Sequence, residues 1–419
     1  MNFILDNKID ITSSTPDEFD HSVGYHDVKP FNIKNDDQLI LHRYPQNTIG
    51  PKKNLLIDIC LWDHKKKLIN KIDETTAWSW EQGSRLQWLD ENRIIYNKQI
   101  DNRFVSCVYN KCNMEKVTFD NPFYSIKNNN FLTLNYSRLW TQWKNYGYFS
   151  SSGIQNNSID IEHEGIFLCD FNGNKNLILS IKNAIKLCGL ENINKTFFLA
   201  HPTFNPSGNK FVSILRFFND SGTLISFFIC TDLGTLENKL LAREKVSHFE
   251  WLDDNRLVVW CRKSSKNIEL LRFNKFTEKY LISNVKKIIN YLNPSLKQKI
   301  TSTHYYVLDL NNDNKAQILD KNILTEDGHP QISTNNNFLI TDTYANKKGF
   351  QKLLFYEIKK DKTHVIGEFK VDDKLISQNL KYDLHPRWNF KDNLISIDSS
   401  HEGSRQSYIL NLEKYIKQF

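Results

Sequence analysis

Long apolar runs are missing from this chain. None approaches the ~18 residues of a membrane-spanning helix, and the longest candidate, Phe217 to Cys230, is broken by Asn219, Asp220, Ser221 and Gly222. No membrane span is expected. The opening residues, MNFILDNKIDITSSTPDEFD, also lack a basic segment followed by a long apolar one, which argues against a secretory signal peptide. The 7 cysteines include no Cys-x-x-Cys, and the closest pair is Cys107 and Cys112. That pattern fits free thiols in a reduced compartment, so a cytoplasmic location is expected. RNA-binding aromatic motifs and finger spacings are absent too, so the net charge of +7 does not point to a nucleic-acid partner. The lysines are spread along the chain, and short runs such as Lys65-Lys66-Lys67 sit in turn-like sequence. They read as a solvated basic face, with attraction of an anionic polymer as the other reading.

Aromatic residues are plentiful, with 27 Phe, 17 Tyr and 9 Trp. Together with β-branched runs they favour strands. One pattern recurs: a polar or histidine residue, an aromatic or apolar anchor three positions later, a turn with Asn, Asp or Gly, and a short β-rich run. SRLQWLDENRIIYN (Ser84 to Asn97) and SHFEWLDDNRLVVW (Ser247 to Trp260) align without a gap. AHPTFNPSGNKFVSI from Ala200, GHPQISTNNNFLITD from Gly328 and LHPRWNFKDNLISID from Leu384 are further copies. NPFYSIKNNNFLTLN from Asn121 is weaker, and Asp27 to Leu41 is a degenerate first copy. Each copy reads as two antiparallel strands joined by a polar turn, and more strand-like sequence follows several of them. A four-stranded blade cannot bury both faces alone, whereas a ring of blades can. The expectation is an all-β, seven-bladed β-propeller formed as a single domain over residues 1–419. A β-sandwich or a solenoid is the competing arrangement. The stretch MNFIL is expected to lend a strand to the last blade.

Aligned on their anchors, His201, His248, His329 and His385 share one register, which Arg85 occupies in the copy from Ser84. Equivalent positions on the inner strands of a propeller lie around its channel, so these side chains can converge. Three are followed by proline, which is expected to hold them extended. Imidazole clusters bind Mn²⁺, Zn²⁺ or Fe²⁺, and an unliganded imidazole is a base near neutral pH. The alternative is that each histidine caps a blade. Gln331 and Arg387 follow the His-Pro pairs, Gln331 as a neutral oxygen ligand or a hydroxyl reader and Arg387 as a carboxylate clamp; Arg216 is a second carboxylate-binding candidate, and a surface ion pair is the alternative for each arginine. Asp342 and Asp398 end equivalent strands and either orient a histidine or close a turn. His401 and Glu402, between two strands, and Tyr344 in the corresponding loop complete the candidates, with Arg85, Arg387, Tyr344 and Glu402 expected to bind substrate.

GHPQISTNNNFLITDTY, DLHPRWNFKDNLISIDSSHEGSRQSYILNL and AHPTFNPSGNKFVSILRF resemble the oligogalacturonate-lyase-like family of seven-bladed propellers, most strongly from Ala200 onward. The resemblance implies a central divalent metal, typically Mn²⁺, held by histidines and a glutamine. It implies β-elimination on short uronate chains, with a histidine taking the C5 proton while an arginine and the metal handle the carboxylate. Carried onto this chain, His329 and His385 match ligand positions, with His201, Gln331 and His401 as further ligands; His248 matches the base and Arg216 the arginine. The family's Gln-x-x-His-x-His arrangement gives way here to DLHPRW and SSHEG. The chain is also similar to propellers of surface-polysaccharide synthesis. The expected partner is an acidic oligosaccharide or a surface-polysaccharide intermediate. The function implied is a metal-dependent lyase on uronate oligosaccharides. The alternatives are a noncatalytic carbohydrate- or protein-binding propeller and another metal-dependent enzyme of surface-polysaccharide metabolism.

Overall fold

The computed structural model describes residues 2–150, 160–262, 303–312, 316–373 and 382–419. Its strands form seven antiparallel sheets, one of five strands and six of four, and the fold is a seven-bladed β-propeller. The repeat accounts for this directly. Gln87–Trp88 and Arg93–Ile100 are the two strands of the copy from Ser84, and Val246–Trp251 and Arg256–Arg262 those of the copy from Ser247. Their turns are capped identically: Asp90 Oδ1 accepts from the Asn92 and Arg93 amides, and Asp253 Oδ1 from those of Asn255 and Arg256. An Asp side chain that satisfies two turn amides fixes the hairpin locally. Asn389 does the same for the amides of Asn393 and Leu394 in the last copy.

The blades fall into two compact units. The first holds residues 1–123, 136–155 and 328–419, and the second holds residues 124–135 and 156–327. Within the first unit, Ile340, Leu353, Phe355, Trp388, Ile395 and Leu410 form a shared core between the last two blades. Val23, Leu39 and Trp62 of the first blade pack with Ile409 of the last. Within the second unit, Val212, Ile214 and Phe228 pack against Phe249, Trp251 and Val259. Alternating inward side chains from neighbouring sheets thus supply the apolar filling, as strand periodicity requires.

Two expectations need correction. Phe3–Leu5, from the MNFIL stretch, pairs with Lys362–Lys370 and becomes the fifth strand of the sixth blade. The last blade is closed instead by Asp10–Ser14, which pairs with Gln406–Asn411. In the first blade the innermost strand is Asp20–Ser22, ahead of the Asp27–Leu41 stretch, where Phe31 makes only an isolated bridge to Leu39.

Candidate metal centre

The first unit gathers the chemistry around one carboxylate. Asp342 ends the strand Phe338–Asp342 and is fully buried. Its Oδ1 accepts from the His329 backbone N–H at 2.8 Å and faces His329 Nδ1 at 2.8 Å, while Oδ2 accepts from the His385 backbone N–H at 2.9 Å. A carboxylate only accepts, so His329 carries its proton on Nδ1 and turns the Nε2 lone pair the other way. This is the orienting arrangement found behind metal-bound imidazoles. Asp342 therefore orients a neighbouring histidine, one of the two roles open to it from sequence. Gly328 makes this approach possible: a Cβ there would lie 1.9 Å from the Asp342 carbonyl oxygen.

His329 Nε2 lies 4.0 Å from Asp383 Oδ2, and the His329 and His385 rings are 4.2 Å apart at 88°. The donor atoms of His329, Asp383 and His385 all fall within 4.8 Å of one another, the only such group among the described residues. Both ring nitrogens of His385 are buried without a hydrogen-bond partner. Burial, and after it the charges of His329, Arg387, His26 and Arg405, push its pKa well below the usual histidine range. It is thus a neutral imidazole with unused nitrogens. Two imidazoles and a carboxylate can hold a divalent cation of the Mn²⁺, Fe²⁺ or Zn²⁺ kind, with positions left for a ligand. Leaving such nitrogens buried and unpaired is unfavourable, so the cluster fits a metal on its own chemistry. Asp383 is itself held: Gln351 Nε2 donates to Asp383 Oδ1 at 3.1 Å and to the Tyr382 carbonyl at 2.9 Å.

Other candidates of the first unit have different roles. Gln331 spends its amide on backbone, with Nε2 donating to the His26 carbonyl and Oε1 accepting from the Trp388 N–H. Arg387 is fully buried; Nε donates to the Tyr25 carbonyl and Nη2 pairs with Asp398 at 3.4 Å. Burial lowers its pKa to about 10. Arg85 makes a bidentate pair with Asp27, both contacts at 2.9 Å. The Tyr344 ring lies 5.7 Å from that of His329. His401 lies among Phe3, Phe369 and Tyr408, with Nδ1 on Ser399 Oγ, and Glu402 accepts from the Tyr408 hydroxyl.

His201, Arg216 and His248 belong to the second unit. His201 Nδ1 meets the Tyr124 hydroxyl at 2.7 Å and its Nε2 faces Arg216 Nη1 at 3.3 Å. His248 Nδ1 meets Asp327 Oδ1 and Ser247 Oγ, each at 3.0 Å. Burial opposes the Asp327 charge, but His248, Ser247 and Lys245 outweigh it and hold its pKa below the usual carboxylate range.

Arg85, His201 and His385 share more than register: their φ angles are +60°, +53° and +42°. The expectation that proline holds the preceding histidine extended therefore fails for His201 and His385, which adopt left-handed backbone. Non-glycine residues take that conformation only where surrounding contacts enforce it, often at functional sites. In the second unit, strand register shifts between Ala200 and Thr203 and between Val246 and Phe249, so each histidine sits on a bulge. Bulges re-aim side chains.

Two residues of the site escape the repeat register. Asp383 stands two before His385, and the Asp-Leu-His triplet is a usable signal for it. His26 lies outside the register altogether; its Nδ1 faces the Pro330 carbonyl at 3.0 Å and its ring is 5.4 Å from that of His329.

No protein-family profile matches the chain, and no curated protein matches it. Among solved structures it is similar to an oligogalacturonate lyase from Vibrio parahaemolyticus, at 10% identity over 98% of both chains with a TM-score of 0.54. It also aligns with an oligogalacturonate lyase in complex with manganese, at 9% identity over 98% of this chain and 97% of that one, TM-score 0.40. TolB from Acinetobacter baumannii aligns at 11% identity over 89% of this chain and 80% of that one, TM-score 0.38. At these identities the likeness speaks for the fold, and the fold is the seven-bladed β-propeller that this chain shares with the Vibrio enzyme.

Proposed function

We propose that the chain is a metal-dependent lyase that cleaves uronate-containing oligosaccharides by β-elimination at the His329–Asp383–His385 centre. The observation that carries this reading is His385, a buried neutral imidazole with both nitrogens unpartnered, set against Asp383 and the outward Nε2 of His329. The reaction class rests on the motif resemblance and on the fold shared with an oligogalacturonate lyase. A divalent ion bound there, Mn²⁺ by resemblance, would stabilise the negative charge that develops when the proton next to a sugar carboxylate is removed. Asp342 and Gln351 keep the ligands in position. His26, whose Nδ1 faces the Pro330 carbonyl and whose ring lies 5.4 Å from that of His329, is the histidine of this unit placed to take that proton. The motif resemblance assigns the roles of base and carboxylate clamp to His248 and Arg216 instead, and turnover decides between the assignments. Loss of at least about a hundredfold in His26→Ala with normal turnover in His248→Ala and Arg216→Lys selects His26; the reverse selects His248 and Arg216.

The test of the function is incubation of the purified protein with galacturonate and glucuronate oligomers, with and without Mn²⁺, read by ultraviolet absorbance and mass spectrometry. Unsaturated products that require the metal support the reading. Metal uptake without unsaturated products from any uronate oligomer rejects the lyase and leaves another metal-dependent enzyme of polysaccharide metabolism. Carbohydrate binding that survives a chelator, without turnover, leaves a noncatalytic binding propeller.

A further inference from the structure

Arg85, Arg387 and Arg405 are all buried in the first unit, and they differ in what neutralises them. Arg85 has the full bidentate partnership of Asp27, and Arg387 has Asp398. Arg405 has no carboxylate within salt-bridge distance among the described residues, although it is only 4% exposed. Its backbone is fixed on both sides: the Arg405 N–H donates to Asp20 Oδ1 at 3.2 Å, and the Arg405 carbonyl accepts from the His21 N–H at 2.8 Å. Nη2 donates to Ser22 Oγ at 3.0 Å, and Nε has no partner at all. The guanidinium is boxed by aromatic rings, with Tyr382, Trp80 and Tyr44 centroids at 4.5, 5.4 and 5.5 Å from its central carbon.

Against burial, the charges of Tyr44, Tyr382, Asp398 and Glu81 raise the Arg405 pKa, yet among the described residues no carboxylate forms a salt bridge with it. Asp398 already receives Ser22 Oγ, Ser407 Oγ and Arg387 Nη2. Asp20 has its pKa raised, with burial outweighing the help of Arg405, so its anionic form is weakened. Arg387 thus has Asp398 in contact, whereas Arg405 has no carboxylate in contact among the described residues. Cation–π contact with three neutral rings recovers part of the cost of burying Arg405, but it leaves the hydrogen-bond donors on the guanidinium edge unmatched. Buried charge of this kind calls for a counter-charge. A planar carboxylate meets an arginine fork with two parallel hydrogen bonds, which lysine cannot imitate.

The place of Arg405 links it to the centre. Tyr382, the nearest of its rings, immediately precedes the ligand Asp383. A chain of contacts also connects the two: Ser22 Oγ accepts from Arg405 and donates to Asp398, Asp398 pairs with Arg387, Arg387 donates to the Tyr25 carbonyl, and the Tyr25 ring lies 5.1 Å from that of His385.

We propose that Arg405, in its box of Tyr44, Trp80 and Tyr382, is the carboxylate-binding residue of this site and makes the protein selective for acidic over neutral sugars. The proposal deepens the function proposed above and rests on that reading for the class of ligand. It shifts the clamp role away from Arg387 and Arg85, each of which has a carboxylate in contact within the protein.

The test uses the full chain treated with EDTA, titrated calorimetrically with trigalacturonate and with the corresponding neutral galactose trimer. Wild type, Arg405→Met and Arg405→Lys are compared, and Mn²⁺ stoichiometry is measured on each in parallel. Wild type is expected to prefer the acidic trimer. Arg405→Met is expected to weaken that binding about ten- to hundredfold, the scale of a lost charge-assisted hydrogen bond, with no change toward the neutral trimer and normal metal uptake. Arg405→Lys, which keeps the charge but not the fork, should fall between. Affinity of Arg405→Met for the acidic trimer within twofold of wild type overturns the proposal, as does an equal loss for both trimers. If Arg405→Met loses its near-ultraviolet circular dichroism, Arg405→Lys is the judge, and an undiminished acidic affinity overturns the proposal. Wild type that takes up metal but shows no acidic preference sinks the role of Arg405 and spares the metal centre. Arg405-dependent acidic binding without any metal uptake does the opposite.

Discussion

Replacing Asp342 by Asn removes one charge and almost no volume, yet it breaks the hydrogen bonding behind the metal centre. The carboxylate accepts three hydrogen bonds, two from His329 at 2.8 Å and one from the His385 backbone at 2.9 Å. The Asn oxygen can keep the two from His329 or the one from His385, but not both sets. Keeping the larger set turns the amide NH₂ toward the His385 N–H, donor against donor. One buried donor is then orphaned, at a cost of about 1–3 kcal/mol. His385 has φ +42°, a conformation that costs an L-residue roughly 1–2 kcal/mol, and it loses the bond that anchors it there. In the other orientation His329 moves its proton to Nε2 and ceases to be a ligand. Either way the affinity for Mn²⁺ should fall about ten- to hundredfold, as when a partner behind a metal-bound histidine is removed. Calorimetric titration with Mn²⁺ reads the affinity, and long-range ¹H–¹⁵N spectra of the imidazoles read the His329 tautomer. An Asp342→Asn protein with wild-type affinity and an unchanged tautomer would refute the orienting role and the ligand assignment built on it.

The same geometry makes other substitutions informative. Elemental analysis of protein purified without a nickel column is expected to show about one divalent ion in wild type and none in His329→Ala with His385→Ala; retention of the ion in the double variant rejects these ligands. Gly328→Ala should also lose metal affinity, because its Cβ would meet the Asp342 carbonyl at 1.9 Å; metal titration at wild-type levels would contradict the close approach. Gln351→Leu frees Asp383 from its amide partner, and a metal affinity lower by about tenfold is expected. Acid should destabilise the protein. Burial lowers the pKa of His42 to about 3 and of His21 to about 4, so the unfolded chain binds protons that the folded one refuses. Their contribution is whole above about pH 6.5 and shrinks as pH falls, by about 2 kcal/mol for each at pH 5. Urea midpoints that match at pH 7.5 and pH 5 would show that these imidazoles are not buried neutral.

Much of the local structure was written in the sequence. The repeat of anchor, polar turn and β-rich run is enforced by neighbours along the chain: Asp90 and Asp253 cap the amides two and three residues ahead. Such contacts need no tertiary partner, so the blade repeat could be read from the sequence, except at the first blade, where Asp20–Ser22 lies ahead of the expected copy. The histidine register was legible for the same reason, and its shared left-handed φ in Arg85, His201 and His385 shows that the equivalence extends to the backbone. The strand pairings at the chain start were not legible. Phe3–Leu5 and Asp10–Ser14 are both short and β-prone, and which blade receives each depends on partners more than 350 positions away. The same holds for the site. His26 reaches His329 across about 300 positions of sequence, and no spacing rule connects them. Nor does sequence say which arginine lacks a carboxylate in contact: Arg85, Arg387 and Arg405 look alike until Asp27 and Asp398 are found beside the first two. Periodicity and turn chemistry are carried by adjacent residues, so the sequence alone determined the blade. The pairing of buried charges and the convergence of ligands are decided by burial, and burial exists only once distant strands have packed.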